Sequence, residues 1–292
     1  MKTSSRAEYL KRIDRVIERL SGSIANDEAA PSIAILARHA NLSEFHFMRV
    51  YRALAGESLG STIQRLRLQR AIHLLARTSA SIAEIAGRVG YETPQAFAKA
   101  FRQVFDAAPS DVRERPDSYR SLPSALSPAG RNVEIRPAVI RIEIVELQPF
   151  RVAALRNDGD YADLDQAYSA LFSWMAGHGA IESVQGVWGA PHHDRRDTPP
   201  DECVFDCCLS TSAALTDEGG VRVTQLGGGR YAVYRHVGDY LQLDDAHDVL
   251  LRDALPANSL ALRDAPILHR FLNDPEGAPT AELETDIHIP VE

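Results

Sequence analysis

Apolar residues return every three or four positions through the first part of the chain, the spacing of one buried helical face. Tyr9, Ile13, Val16, Ile17 and Leu20 predict a helix over residues 4–20, with Lys11, Arg12, Arg15 and Arg19 among its polar positions. The pattern is sharpest over residues 81–113. Ser81, with Glu84 three residues on, forms a capping box. Ile82, Ile85, Ala86 and Val89 then recur at helical spacing, and Gly90 supplies a left-handed exit from a short helix. Thr93 offers a second N-cap with Pro94 behind it, opening a helix that runs to about Phe105. Its Phe97, Phe101, Val104 and Phe105 face one way, which leaves Gln95, Ala98, Lys99 and Arg102 for polar surroundings. A short helix, a tight turn and a longer helix make a helix-turn-helix pattern, a geometry also found in ordinary helical hairpins.

Pro116, Ser118, Ser121, Pro123, Ser124, Ser127, Pro128 and Gly130 then cluster in the composition of a loop. Past them the period changes. Ile140, Ile142 and Ile144 alternate with Arg141, Glu143 and Val145, predicting a strand over residues 139–147 with one wet face. An internal repeat follows, because residues 150–171 align without a gap on residues 229–250. Arg151, Gly159, Asp160, Tyr161, Leu164, Asp165 and Leu171 recur as Arg230, Gly238, Asp239, Tyr240, Leu243, Asp244 and Leu250, always 79 residues on. Each copy reads as a strand, a Gly-Asp-Tyr turn and a helix, and strand-like runs such as 184–190 and 203–211 come after. Two such halves are expected to share one sheet and to leave a groove where they meet. The boundaries implied are a helical domain at 1–120, a linker at 121–136 and an α+β domain at 137–292.

With 292 residues, 45% of them apolar, the chain can build two cores. It contains no run of 18 apolar residues and its N-terminus lacks the hydrophobic region of a signal peptide, so no membrane insertion and a cytoplasmic location are expected. Cys203, Cys207 and Cys208 crowd one expected strand where neighbours point to opposite faces, which argues against a disulfide framework. The net charge of −8 hides an asymmetry: residues 1–120 hold 19 Lys and Arg against 13 Asp and Glu, whereas residues 121–292 hold 13 against 27. A basic first domain before an acidic second suits a module that meets phosphate followed by one that avoids it.

The glycine-aromatic turn at Gly90 and Tyr91, the Ala96-Phe97-x-x-x-Phe101 spacing and the closing Pro109, Ser110 and Arg113 resemble the second half of the AraC/XylS family's DNA-binding domain. Residues 32–53, with Leu36 and Ala37 on a supporting helix, a turn at 41–43 and Ser43 as cap, are similar to that family's first helix-turn-helix. Residues 62–76 are similar to the long helix between the halves. Asp106 stands where the family usually has glycine and Leu59 where it often has proline; Asp tolerates a left-handed turn. Residues 138–292 resemble the GyrI-like small-molecule-binding domain through the two Gly-Asp-Tyr turns, the strand at 229–233, the Arg-Phe-Leu-Asn-Asp run at 270–274 and the close at 285–290. The resemblance implies an all-α double helix-turn-helix domain followed by an α+β domain of two pseudo-symmetric βαββ-type repeats. In that family an acidic residue before the aromatic of the Arg-Phe-Leu run helps the groove take cations. Here that position is His269, which makes a neutral, anionic or pH-sensitive ligand as plausible as a cation.

Both resemblances imply a transcription regulator that binds double-stranded promoter DNA and a small-molecule effector, with RNA polymerase a further candidate partner. On helix geometry Phe45, His46, Met48, Arg49 and Arg52 are the outward positions of the first recognition helix, and Glu92, Gln95, Lys99 and Arg102 those of the second. Arg49 suits a guanine and Gln95 an adenine. One chain carries two recognition helices, so an asymmetric site needs no dimer and both a monomer and a homodimer stay open. Trp188, Phe205, His269 and Phe271 are the expected lining of the ligand groove. His192, His193 and Asp194 lie in a polar loop without a recognised ligand spacing, so no metal and no cofactor are expected. No nucleophile, base and orienter stand at a catalytic spacing, which ranks a small-molecule hydrolase, or a protein that sequesters a compound, below a regulator.

Overall fold

The computed structural model describes residues 6–115 and 140–292, apart from the side chains of Arg6 and Phe45. The chain divides into two compact units, one at Glu8–Glu134 and one carrying Ile135–Glu292. The expected linker at 121–136 lies outside the described residues.

The first unit is helical: α1 (Arg6–Ala25), α2 (Ile33–Ala40), α3 (Glu44–Ala55), α4 (Leu59–Arg77), α5 (Ile82–Arg88), α6 (Pro94–Phe105) and α7 (Pro109–Glu114). Tyr9, Ile13, Val16 and Leu20 bury one face of α1 as their spacing requires. The capping box forms in full, Ser81 Oγ accepting from the Glu84 amide at 3.1 Å and Glu84 Oε2 from the Ser81 amide at 2.6 Å. Thr93 Oγ1 caps α6 through the Ala96 amide at 3.1 Å, and Asp106 ends it in the left-handed region at φ 51°. Ser43 occupies the N-cap position of α3, but its hydroxyl accepts no helical amide. The α6 stripe is Phe97, Ala100, Phe101 and Phe105; Val104, expected on it, is 41% exposed. Rings step along α6 from Tyr91 to Phe97 to Phe101 to Phe105 at 5.5, 5.6 and 4.6 Å, and they pack against Leu68, Ile72 and Leu75 of α4 and Ile85 of α5.

In the second unit one antiparallel sheet of eight strands runs β1-β6-β8-β7-β3-β4-β2-β5. The strands are β1 (Glu143–Leu147), β2 (Phe150–Asp158), β3 (Val184–Pro191), β4 (Val204–Thr211), β5 (Val221–Leu226), β6 (Gly229–Val237), β7 (Leu268–Phe271) and β8 (Glu284–Pro290). Helix α8 (Leu164–Gly177) lies between β2 and β3. Helix α9 (Leu243–Val249) follows β6 and continues through a π turn at Leu250–Ala254 into α10 (Leu255–Ala257). The two copies of the repeat are thus β2-α8-β3-β4 and β6-α9-β7-β8, joined at the centre of the sheet by β3 and β7.

The repeat changes register once. Up to Leu171 and Leu250 equivalent residues lie 79 apart, but the left-handed residues that close the helices, Gly179 and Ser259, lie 80 apart. The π turn falls between them, and a π turn is how a helix absorbs one extra residue. The strand expected over 139–147 begins later, and its phase is opposite to that expected: Val145 and Leu147 pack inward, while Ile144 is 41% exposed. Pairing explains this, since Val145 sits opposite buried Tyr231 on β6.

Matching ion pairs brace the two inner strands of each half, Arg156 on β2 with Asp206 on β4 and Arg235 on β6 with Asp286 on β8. Asp206 accepts from Arg156 at 2.8 and 3.1 Å and meets His192 Nε2 at 2.7 Å. Burial alone raises its carboxyl, but the hydrogen bonds from His192 and Arg156 outweigh burial and hold it well below the ordinary carboxylate range. A lowered carboxyl stabilises the fold above its unfolded value of about 3.9, and that contribution is lost as pH falls through the folded value. Asp206→Asn is therefore expected to cost about 1–3 kcal/mol at neutral pH. In urea denaturation the gap between wild type and variant should narrow as pH falls below about 4; a gap of constant size would refute the pairing as its cause.

Candidate functional site

The second helix-turn-helix presents one polar row. Gln95, Lys99 and Arg102 are exposed on α6 at i, i+4 and i+7, hence on one face, and Glu92 is exposed at the turn before them. The ring ladder beneath fixes this helix. At the turn, Gly90 has φ +81°, and a Cβ there would lie 2.9 Å from the Arg67 guanidinium. Arg67 thereby reaches the turn from α4 and stands 5.9 Å from the Tyr91 ring centroid, so the backbone and the aromatic of this turn share one cation.

The first recognition helix is arranged differently from expectation. His46 and Arg49, expected to face outward, are each 2% exposed, and Met48 and Arg52 are half-buried. The Phe45 side chain lies outside the described residues. The reason is the width of the buried stripe on α3: His46, Arg49, Val50 and Ala53 form a row at i, i+3, i+4 and i+7 that merges with buried Phe47, Tyr51 and Leu54. Arg49 is thus buried and not outward as expected.

In the second unit three of the four expected groove residues come together and one does not. Phe205, His269 and Phe271 share the sheet face that carries α8: His269 lies 6.4 Å from Phe205 and 6.1 Å from Phe271 between ring centroids. Trp188 sits on the opposite face. There it packs 4.7 Å from Phe150 and 5.2 Å from His288, with the Arg270 guanidinium 5.5 Å from its ring. Strand alternation separates them, because Trp188 pairs with Arg270 while Gly189 pairs with His269.

The helix-side face forms a dense seam across the β3–β7 join. Tyr168 on α8 donates its hydroxyl to the Trp188 carbonyl at 2.7 Å and packs edge-on against Phe271 at 6.0 Å. Tyr240, from the second Gly-Asp-Tyr turn, meets Phe271 at 5.2 Å. His247 on α9 faces His269 with the two Nε2 atoms 2.9 Å apart. One ring must donate there and the other accept, so the pair holds one proton between its facing nitrogens. Burial raises Tyr168 well above the ordinary tyrosine range and pushes the Cys207 thiol up to about 12. Both groups consequently stay protonated near neutral pH.

A loop from the first half is pinned to α9 of the second. Arg195 bonds Asp244 at 3.0 Å and the carbonyls of Tyr240 and Leu241. Arg196 reaches Asp194, Asp245 and Asp248 at 2.7, 2.6 and 2.9 Å. In the same loop His192 is held by Asp206, and His193 Nδ1 accepts the Val204 amide at 3.1 Å. Among the described residues no three or more His, Cys, Asp or Glu side chains are placed to hold a metal ion.

Residues 141–292 match the family model of the GyrI-like small molecule binding domain, and residues 36–115 that of a helix-turn-helix domain. The probable transcriptional regulator YgiV of Escherichia coli K12 is 34% identical over 155 residues, which is 51% of this chain and 95% of YgiV. The regulatory protein SoxS of Escherichia coli K12 is 34% identical over 84 residues, 29% of this chain and 78% of SoxS. Among solved structures, the EcmrR–DNA complex in EcmrR-RPo, seen by cryo-EM, is similar with a TM-score of 0.46 at 15% identity, over 85% of this chain and 82% of that one.

Tyr168, His247 and Gly189 are seam residues that sequence reasoning missed. The signal was in the repeat: Tyr168 and His247 are equivalent in the two copies, as are Gly189 and His269 once the extra residue is counted. Gly189 is the most constrained of these. A Cβ there would lie 2.3 Å from Phe205 Cζ and 3.1 Å from the Tyr168 hydroxyl, and Phe205 is itself 3% exposed with Tyr161 packed edge-on against it. Gly189→Ala is expected to destabilise the protein by about 1–3 kcal/mol through overpacking. Chemical denaturation checks this, and a variant as stable as wild type would mean that Phe205 moves aside freely.

Proposed function

The chain belongs to the GyrI-like small molecule binding domain family and is an AraC-type DNA-binding transcription regulator, and from that premise we propose how its two units work. Helix α6 enters a major groove with Gln95, Lys99 and Arg102 facing the DNA. Gln95 bonds an adenine edge through its amide, while Lys99 and Arg102 hold phosphate or a guanine edge. Of the candidates on α3, Phe45, Met48 and Arg52 remain to meet the neighbouring groove. The effector enters the seam between α8 and α9, where Phe205, Phe271, Tyr168 and Tyr240 supply apolar surface and the His247–His269 pair supplies both a donor and an acceptor. Effector binding shifts DNA affinity, or recruitment of RNA polymerase, to the extent that the effector prefers one of the two states.

The observation that carries the DNA reading is the exposed row at 95, 99 and 102 on a helix fixed by its ring ladder. Fluorescence anisotropy on the chain's own upstream DNA, at several salt concentrations, tests it. Binding should weaken with salt, and Lys99→Ala should lower the salt slope by about 1 if Lys99 holds a phosphate. Gln95→Ala should lose about 1–3 kcal/mol on that DNA and little on random sequence. Arg49→Ala serves as a packing control that lowers stability without changing sequence preference. Equal affinity for upstream and random DNA, unchanged in Gln95→Ala, would remove α6 as the reader.

A further inference from the structure

The two halves of the ligand-binding unit are not filled alike. In the first half, Leu155 on β2 is packed in one cluster with Trp174 of α8 and with Ala213, Leu215 and Val221 from the chain leading into edge strand β5. Its equivalent in the second half is Tyr234 on β6. Here the space beside α9 is a cavity of about 290 Å³ lined by described residues. That size is near the lower end of small-molecule sites, about 300–1,000 Å³. The cavity does not include Phe205, His269 or Phe271 and is separate from the seam.

Its lining combines an apolar wall with polar groups that each can accept a hydrogen bond. Ile140, Val249 and Leu250 supply the wall, and Tyr234, His236, Gln242 and Asp245 the polar groups. His236 is 8% exposed, and its Nε2 faces the Asp239 carbonyl at 3.3 Å. A carbonyl only accepts, so Nε2 carries the proton and Nδ1 of the neutral ring is an acceptor. Asp245 stands at the rim with its side chain 75% exposed, bonded to Arg196 through Oδ1. The equivalents in the first half, Leu155, Asn157, Asp163 and Gln166, include no such pairing of an imidazole with a carboxylate beside an open volume.

We infer that this cavity is a second small-molecule site, for a small primary amine with an aromatic or branched aliphatic body. The ammonium group meets Asp245 at the rim, His236 or the Tyr234 hydroxyl accepts from it deeper in, and the body lies against Val249 and Leu250. Charge-assisted hydrogen bonds are the stronger kind, so the charged nitrogen is the discriminating feature.

Benzylamine and its uncharged counterpart benzyl alcohol are the probes, titrated into the full chain at neutral pH by saturation-transfer NMR and calorimetry. Benzylamine should bind about tenfold more tightly than benzyl alcohol, a charge-assisted hydrogen bond's worth. Asp245→Asn should bring benzylamine down to the level of the alcohol. Val249→Trp should abolish binding of both, and Phe271→Ala in the seam should leave the benzylamine affinity unchanged. Circular dichroism checks that Val249→Trp is folded, and Ala246→Leu fills the same space if it is not. Equal affinity for the two probes overturns the inference, as does benzylamine binding that survives the cavity-filling variants or disappears with Phe271→Ala. The last result places the amine in the seam and leaves the DNA-binding reading untouched.

Discussion

Antiparallel pairing of β3 with β7 holds the ligand-binding unit together, because each half supplies four strands and would otherwise end there in an open edge. Three residue pairs register across the join: Val187 with Phe271, Trp188 with Arg270 and Gly189 with His269. Everything placed over the helix-side face depends on that register. Gly189 leaves the backbone bare, so Phe205 can lie over the join, and the Tyr168 hydroxyl reaches down to the Trp188 carbonyl beside it. A slip of β7 by one residue would turn His269 and Phe271 to the far face, beside Trp188. The loop pinned by Arg195 and Arg196 adds a second tie between the halves, through side chains instead of backbone.

The features legible in the sequence were those set by neighbours along the chain. Ser81 with Glu84, Thr93 before Pro94 and the left-handed Asp106 act within one turn of backbone, and each forms as its sequence implies. The repeat was legible because both copies keep their Gly-Asp-Tyr turns. Side-chain direction across elements was not. Arg49 looks like a surface residue by type, and whether a helix buries two adjoining stripes depends on what packs around it, which its own periodicity does not encode. Trp188 and Phe205 both look like groove residues by type, yet which face each takes is decided by strand pairing at a distance along the chain, Trp188 with Cys208 and Arg270 and Phe205 with Asn157 and Pro191. Ile144 fails for the same reason, since its phase is set by β6.

The π turn in the second copy shows how the halves diverge without disturbing the sheet they share. The extra residue is taken up within the helix at Leu250–Ala254, and the strands beyond it return to equivalent positions, with Asp286 on Arg235 as Asp206 is on Arg156. Correspondence between the copies therefore has to be read with two offsets, 79 before the turn and 80 after it. Read so, the seam pairs Tyr168 with His247 and Gly189 with His269 across the pseudo-twofold.

Those pairs are unlike in chemistry. One side of the axis offers a phenol above bare backbone, and the other offers two imidazoles that share a proton. A pocket with true twofold symmetry gives a guest two poses of equal energy and cannot tell its ends apart. For the effector proposed to enter the seam the two poses differ in polarity at both ends, so an asymmetric guest is expected to enter it one way round.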